Sequence, residues 1–282
     1  MIVFRLHLNA FTAYWESNLL KYLPLRVLSF IAFIGLLFQP TLSHSQSFAD
    51  LVETARAGVV SVGTLRPIKR VGTKSPPIRF MGTGFVVGNG EYIVTNVHVL
   101  PEKIDHDHDE TMVVFSGRGK NAKPYKVNLV ASDPVHDLAL LRLVKGRLPA
   151  FKLAKSGFIR EGADVAFTGF PLGMVLGLYP VTNKTIISAV TPYVMPALSS
   201  GTLTPIQIKR LKTPFEVYQL DAIAYPGNSG SPVYDSTSGE VIGVVNSVFV
   251  KESKEGVLSK PSGITYAIPV SYVHQLIQQE SQ

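Results

Sequence analysis

Short runs of β-branched and aliphatic residues, each bounded by glycine, proline or polar turn residues, recur in two successive sets along this chain and limit its fold more than any other feature. The first set covers residues 59–65, 80–87, 92–95, 112–115, 126–131 and 138–144. After a stretch without strand character at 145–160, the second covers 164–168, 184–190, 217–222, 241–248 and 264–268. Helical spacing is confined to the end, where Val270, Val273, Leu276 and Ile277 fall on one face over residues 270–279. Strands without intervening helices point to an all-β chain. Two strand sets suggest two small closed sheets, which hide their edges and leave a cleft between halves at 46–150 and 151–282.

Composition narrows the chemistry. The 282 residues are 46% hydrophobic, enough for one large core or two modest ones packed together. With no cysteine, the chain has no disulfide, thiolate metal site or cysteine nucleophile. Its formal charge is +7 and stays positive when residues 1–45 are set aside. No nucleic-acid motif or aromatic platform accompanies that charge, so a solvated basic surface is expected rather than a nucleic-acid partner. Binding lost with added salt, without protein cleavage, would instead mark a nucleic-acid binder or surface adhesin.

Residues 27–38 form an apolar run preceded by Lys21 and Arg26 and followed by Ser43-His44-Ser45. This is the layout of a signal peptide, with cleavage expected near Ser45 or Gln46, and the run is shorter than the ~20 residues that cross a bilayer. An uncleaved anchor starting earlier, around Leu19 and Leu20, is the competing reading. Export to the periplasm or the medium follows from the first reading, with no stable membrane insertion after cleavage.

Ser229 lies in Tyr225-Pro226-Gly227-Asn228-Ser229-Gly230-Ser231-Pro232, a serine beside glycines whose backbone can approach a substrate carbonyl. A serine hydroxyl needs a base to take its proton and a carboxylate to orient that base. Both have candidates upstream: His98 in Thr95-Asn96-Val97-His98-Val99, and Asp137 at the head of Asp137-Leu138-Ala139-Leu140-Leu141. Their order, His, Asp, Ser, is one of the chain orders in which this constellation occurs, and it differs from the Ser, Asp, His order of α/β-hydrolases. His136 competes as the base. If residues 136 and 137 lie on a strand their side chains face opposite sides, so an Asp137 facing the cleft turns His136 away. The first half would supply His98 and Asp137 and the second half Ser229.

From about Ser47 onward the chain resembles trypsin-like serine proteases, and more closely the HtrA/Deg branch. The resemblance rests on Gly82-Thr83-Gly84-Phe85-Val86, Val94-Thr95-Asn96-Val97-His98-Val99, Asp137-Leu138-Ala139-Leu140-Leu141, Pro226-Gly227-Asn228-Ser229-Gly230 and Gly263-Ile264-Thr265-Tyr266-Ala267-Ile268-Pro269. It implies a chymotrypsin-like fold of two six-stranded antiparallel β-barrels with a C-terminal helix. It also implies that Ser229 attacks a peptide carbonyl, His98 carries the proton and Asp137 orients the imidazole. The backbone amides of Gly227 and Ser229 are then the expected oxyanion donors. Ser231 departs from the branch, which usually has glycine there, and resembles glutamyl endopeptidases. The branch commonly carries PDZ domains after the protease, and this chain is expected to lack one.

The same resemblance places the substrate pocket at Ile223 and Ala224 and along residues 245–248, including Asn246. Neither segment offers a carboxylate for a basic side chain, nor does the second offer a histidine for a glutamate, so small or medium apolar residues are the expected preference. The run Asp105-His106-Asp107-His108-Asp109-Glu110 has the residue types of a divalent-cation site, but is expected to be a mobile, solvated loop with no metal. The basic stretch from Arg66 to Arg79, and Lys209, Arg210 and Lys212, are expected to be surface features. The expectation is a cofactor-independent serine endopeptidase acting on polypeptides, with a homo-oligomer left open. The alternative is a catalytically weak protease-fold protein that captures peptides or acts as a chaperone.

Overall fold

The computed structural model describes residues 47–67, 77–155, 157–171, 177–193, 212–246 and 263–280. The expected leader at 1–45, most of the basic stretch after Pro67, Lys209, Arg210, Ser247 and Val248 lie outside them. Among the described residues no helix is long and apolar enough to cross a membrane.

A helix missed by the sequence reading comes first: α1, Phe48–Gly58. Its signal was present. Ser47 and Asp50 form a capping box, in which the serine side chain accepts from the Asp50 amide and the aspartate side chain accepts from the Ser47 amide. Leu51, Val52 and Ala55 form its buried face.

Six strands follow: β1 (Val59–Leu65), β2 (Ile78–Val87), β3 (Tyr92–Thr95), β4 (Thr111–Ser116), β5 (Lys123–Asp133) and β6 (Leu138–Leu143). They close in the order β1-β2-β3-β6-β5-β4, every pairing antiparallel. The second six are β7 (Asp164–Gly169), β8 (Val181–Pro192), β9 (Glu216–Asp221), β10 (Pro232–Asp235), β11 (Val241–Asn246) and β12 (Ile264–Pro269). Read around the ring as β7-β8-β9-β12-β11-β10, they repeat the topology of the first set. The fold is therefore two closed six-stranded antiparallel barrels. β10 is the strand that the sequence did not resolve, because it has only 4 residues and begins with proline. The expected helix is α2, Val270–Glu280.

Several strands read as continuous apolar runs because both of their faces are buried. Val86 of β2, Ile93 of β3 and Leu141 and Leu143 of β6 fill the first barrel with Val60, Val62 and Val114. Their neighbours Phe85, Val87, Val94, Leu138 and Leu140 point the other way and join the core that continues through the second barrel. The connecting chain is bonded to both barrels: the Phe151 amide donates to the Val86 carbonyl at 2.9 Å, and that of Ala154 to Val241 at 2.8 Å. α2 leaves β12 of the second barrel, yet the Tyr92 hydroxyl of β3 donates to the Glu280 carboxylate at 3.2 Å. A carboxylate at one end of this helix thus ties it to the first barrel.

Candidate active site

Asp137 sits in the turn between β5 and β6 with φ of 56°, a left-handed conformation that aspartate tolerates better than most residues. Its backbone carbonyl accepts the Val97 amide at 3.2 Å and the Asn96 Nδ2 at 3.0 Å. These bonds hold the turn against the segment that follows β3, where His98 occupies a short 3₁₀ turn, Val97–Val99. The carboxylate then meets the histidine twice. Oδ1 accepts the His98 backbone amide at 3.1 Å, and Oδ2 lies 2.6 Å from Nδ1. When the carboxylate accepts this bond Nδ1 carries a ring proton, and in the neutral imidazole Nε2 then presents its lone pair.

Asn246, at the end of β11 in the second barrel, donates its Nδ2 to Asp137 Oδ2 at 2.7 Å and is 1% exposed. Asn246, expected in the substrate pocket, thus gives its amide nitrogen to the carboxylate. The two barrels are thereby joined through Asp137 itself.

The Ser229 turn packs against β2 of the first barrel. The Thr83 amide of β2 donates to the Ser229 carbonyl at 2.9 Å. At neighbouring Gly82 a methyl group would lie 2.7 Å from the side chain of Val99, next to His98, and 3.1 Å from the Ser229 carbonyl oxygen. Gly82 thus lets the serine turn and the histidine turn meet. Within the serine turn the amides of Asn228, Gly230 and Ser231 donate to Tyr225, Val245 and Asn228 carbonyls at 2.9, 2.9 and 3.0 Å. Gly227 has φ of 100°, which favours glycine. Ile223 and Ala224 precede the turn, half-buried.

His136 is not part of this group. Residues 134–137 form a turn, so the opposite-face argument from strand geometry does not apply. Instead Asp133 caps the turn by accepting the amides of Val135 at 3.0 Å and His136 at 3.1 Å, and its carboxylate pairs with the His136 ring. The imidazole stacks on Tyr272 of α2, with ring centroids 3.9 Å apart, and meets Phe215 edge-on. Burial pushes the Asp133 carboxyl up, but these bonds outweigh it and hold the group below the usual carboxylate range.

The acidic and histidine-rich run is more built than a solvated loop. Glu110 is 3% exposed and accepts the Thr64 hydroxyl at 2.6 Å, the Asp105 amide at 2.8 Å and Arg66 at 3.3 Å. Asp105 also pairs with Arg66 and His108. Among the described residues no three metal-capable side chains converge. Lys212 is exposed.

Comparison with known proteins agrees with this fold. Residues 82–244 match the family described as "Trypsin-like peptidase domain". A probable periplasmic serine endoprotease DegP-like from Pseudomonas fluorescens is 24% identical over 277 residues, covering 86% of this chain and 51% of that protein. Its namesake from Pseudomonas putida (strain W619) is 30% identical over 199 residues, covering 71% and 34%. The chain thus spans about half of the first of these relatives and about a third of the second. Among solved structures, the HtrA-type protease AlgW with decapeptide superposes with a TM-score of 0.59 at 25% identity, over 83% of this chain and 67% of that one. The Rv3671c protease from M. tuberculosis shares the fold at a TM-score of 0.58 and 22% identity, over 85% and 86%. The chain belongs to the trypsin-like peptidase family and is HtrA/DegP-like within it.

Proposed function

We propose that the protein is a serine endopeptidase that hydrolyses peptide bonds in exported or envelope polypeptides through an acyl-enzyme. The observation that carries this reading is the 2.6 Å contact between His98 Nδ1 and Asp137, held by Asn246 beside the Ser229 turn. With Nδ1 protonated, Nε2 accepts the Ser229 proton as Oγ attacks the carbonyl carbon, and returns it to the leaving amine. Asp137 stabilises the imidazolium formed in between. Water then repeats the sequence on the acyl-enzyme. The backbone amides of Gly227 and Ser229 serve as oxyanion donors, each worth about 3 kcal/mol in the transition state. A periplasmic setting is supported by the names of the relatives and by the layout of residues 27–45.

The parent protein should degrade casein, and Ser229→Ala should not. Retained cleavage in the variant rejects the assigned nucleophile, while peptide binding without cleavage by the parent favours the capture reading. Ile223 and Ala224 make the pocket apolar, so a peptide library should show cuts after small or medium apolar residues. A strong preference for Lys, Arg or Glu would contradict that assignment.

A further inference from the structure

Thr83 holds a position that the proposed chemistry does not use directly. It is fully buried in β2 of the first barrel, yet two of its polar groups are bonded to the nucleophile turn of the second. Its hydroxyl donates to the Gly227 carbonyl at 2.7 Å and accepts the Phe170 amide at 2.9 Å. The direction of both bonds is fixed, because a carbonyl only accepts and an amide only donates. Its backbone amide donates to the Ser229 carbonyl at 2.9 Å. Its own carbonyl accepts the hydroxyl of Thr95 at 2.7 Å, at the end of the strand that leads into His98.

These bonds bracket the turn. The hydroxyl pins the peptide joining Gly227 to Asn228, and the amide pins the peptide joining Ser229 to Gly230. Between them lies the peptide that carries the Ser229 N–H. Gly227, at φ of 100°, has glycine's freedom to rotate its peptides, so the carbonyl bond from Thr83 restrains the residue best able to move.

Two side chains of the turn, Asn228 and Ser231, pack here without such bonds. A methyl group at Gly169 would collide with Ser231 Oγ and come within 2.8 Å of Asn228 Oδ1 and 3.1 Å of Thr83 Oγ1. Gly169 therefore makes room for Ser231, the residue that departs from the HtrA pattern. Both polar atoms of the Asn228 side chain and the Ser231 hydroxyl are buried without a hydrogen-bonding partner among the described residues. The Thr83 hydroxyl, in contrast, is satisfied as donor and as acceptor.

We propose that Thr83 is a positioning residue for the oxyanion turn: its hydroxyl, anchored in the first barrel, fixes the peptide joining Gly227 to Asn228 and so, with the backbone bond to Ser229, the direction of the Ser229 amide. The catalytic half of this inference rests on the endopeptidase reading, and the structural half does not. Thr83→Val keeps the shape and removes the hydroxyl; Thr83→Ser keeps the hydroxyl. Hydrolysis of a chromogenic peptide should show kcat reduced on the order of 100-fold in Thr83→Val, as for loss of an oxyanion donor, with KM within about twofold. Thr83→Ser should stay within about threefold of the parent. Amide hydrogen exchange across residues 227–231 should quicken in Thr83→Val while β1 and β6 keep parental protection, and Thr83→Ser should leave it slow.

Unchanged kcat in Thr83→Val overturns the proposal, as does a loss that Thr83→Ser shares equally. So does exchange that stays parental at 227–231, or that quickens throughout the barrels, because the hydroxyl would then be dispensable or merely a part of global stability. If the parent cleaves nothing, the endopeptidase reading has failed, and the exchange comparison still decides whether Thr83 orders the turn.

Discussion

Asp137 is held by two residues distant in sequence: His98, through its imidazole and its backbone amide, and Asn246, through its carboxamide from the other barrel. A carboxylate so held cannot rotate without leaving a buried donor unpaired, and a charge-assisted bond of this kind is worth about 1.5–3 kcal/mol. Asn246→Ala should therefore lower kcat by roughly 10- to 100-fold with little change in KM. Steady-state kinetics on a peptide substrate measure this, and an unchanged kcat would remove Asn246 from the machinery. Asn246 could be placed near the site from its sequence segment, but its partner lies 109 residues away and no local pattern reveals which group the amide meets. The pairing of His98 with Asp137 could be anticipated because each sits in a short motif of distinctive residue types, as does Ser229, the nucleophile proposed here. Thr83 was visible only as part of such a motif. Its task depends on Gly227 and Phe170, which reach it by closure of the two barrels.

Elements differ in how openly the chain declares them. β1, β3 and β6 end where turn residues end their apolar runs. β8 extends to Val181–Pro192, before the expected start at residue 184, because Asn183, a residue poorly suited to strands, is paired with Phe167 of β7 as Val181 and Thr182 are with Gly169 and Thr168. The segment before β4 misled for a different reason. A dense run of Asp, His and Glu reads as solvated, and only the fold brings Thr64 and Arg66 onto Glu110. Burial pushes the Glu110 carboxyl up, but the Thr64 hydroxyl, the Asp105 amide and Arg66 together hold it below its ordinary 4.5. A group with a depressed folded value stabilises the protein above its unfolded value, and loses that contribution as pH falls through the folded one. Glu110→Gln should therefore melt roughly 2–10 °C below the parent at neutral pH. The gap should persist down to about pH 4.5 and close below it. Thermal melts across pH measure this; a gap that widens on acidification would refute the assignment.

At the scale of the whole molecule, the proposed chemistry depends on two barrels of the same topology meeting along buried strand faces. The first contributes His98 and Asp137, the second Ser229 and Asn246, and Thr83 and α2 cross between them. Recurrence of short strands announced two closed sheets, but the repeated strand order was hidden because it leaves no repeated sequence. The central claim is that this meeting makes the Ser229 hydroxyl nucleophilic. Intact-mass spectrometry after exposure to a fluorophosphonate tests it most directly. The parent should gain one phosphonyl adduct, mapped to Ser229 by peptide digestion. Ser229→Ala should gain none, and His98→Ala should react at least about 100-fold more slowly. A parent that stays unlabelled while remaining folded, or an adduct on another serine, would contradict the account.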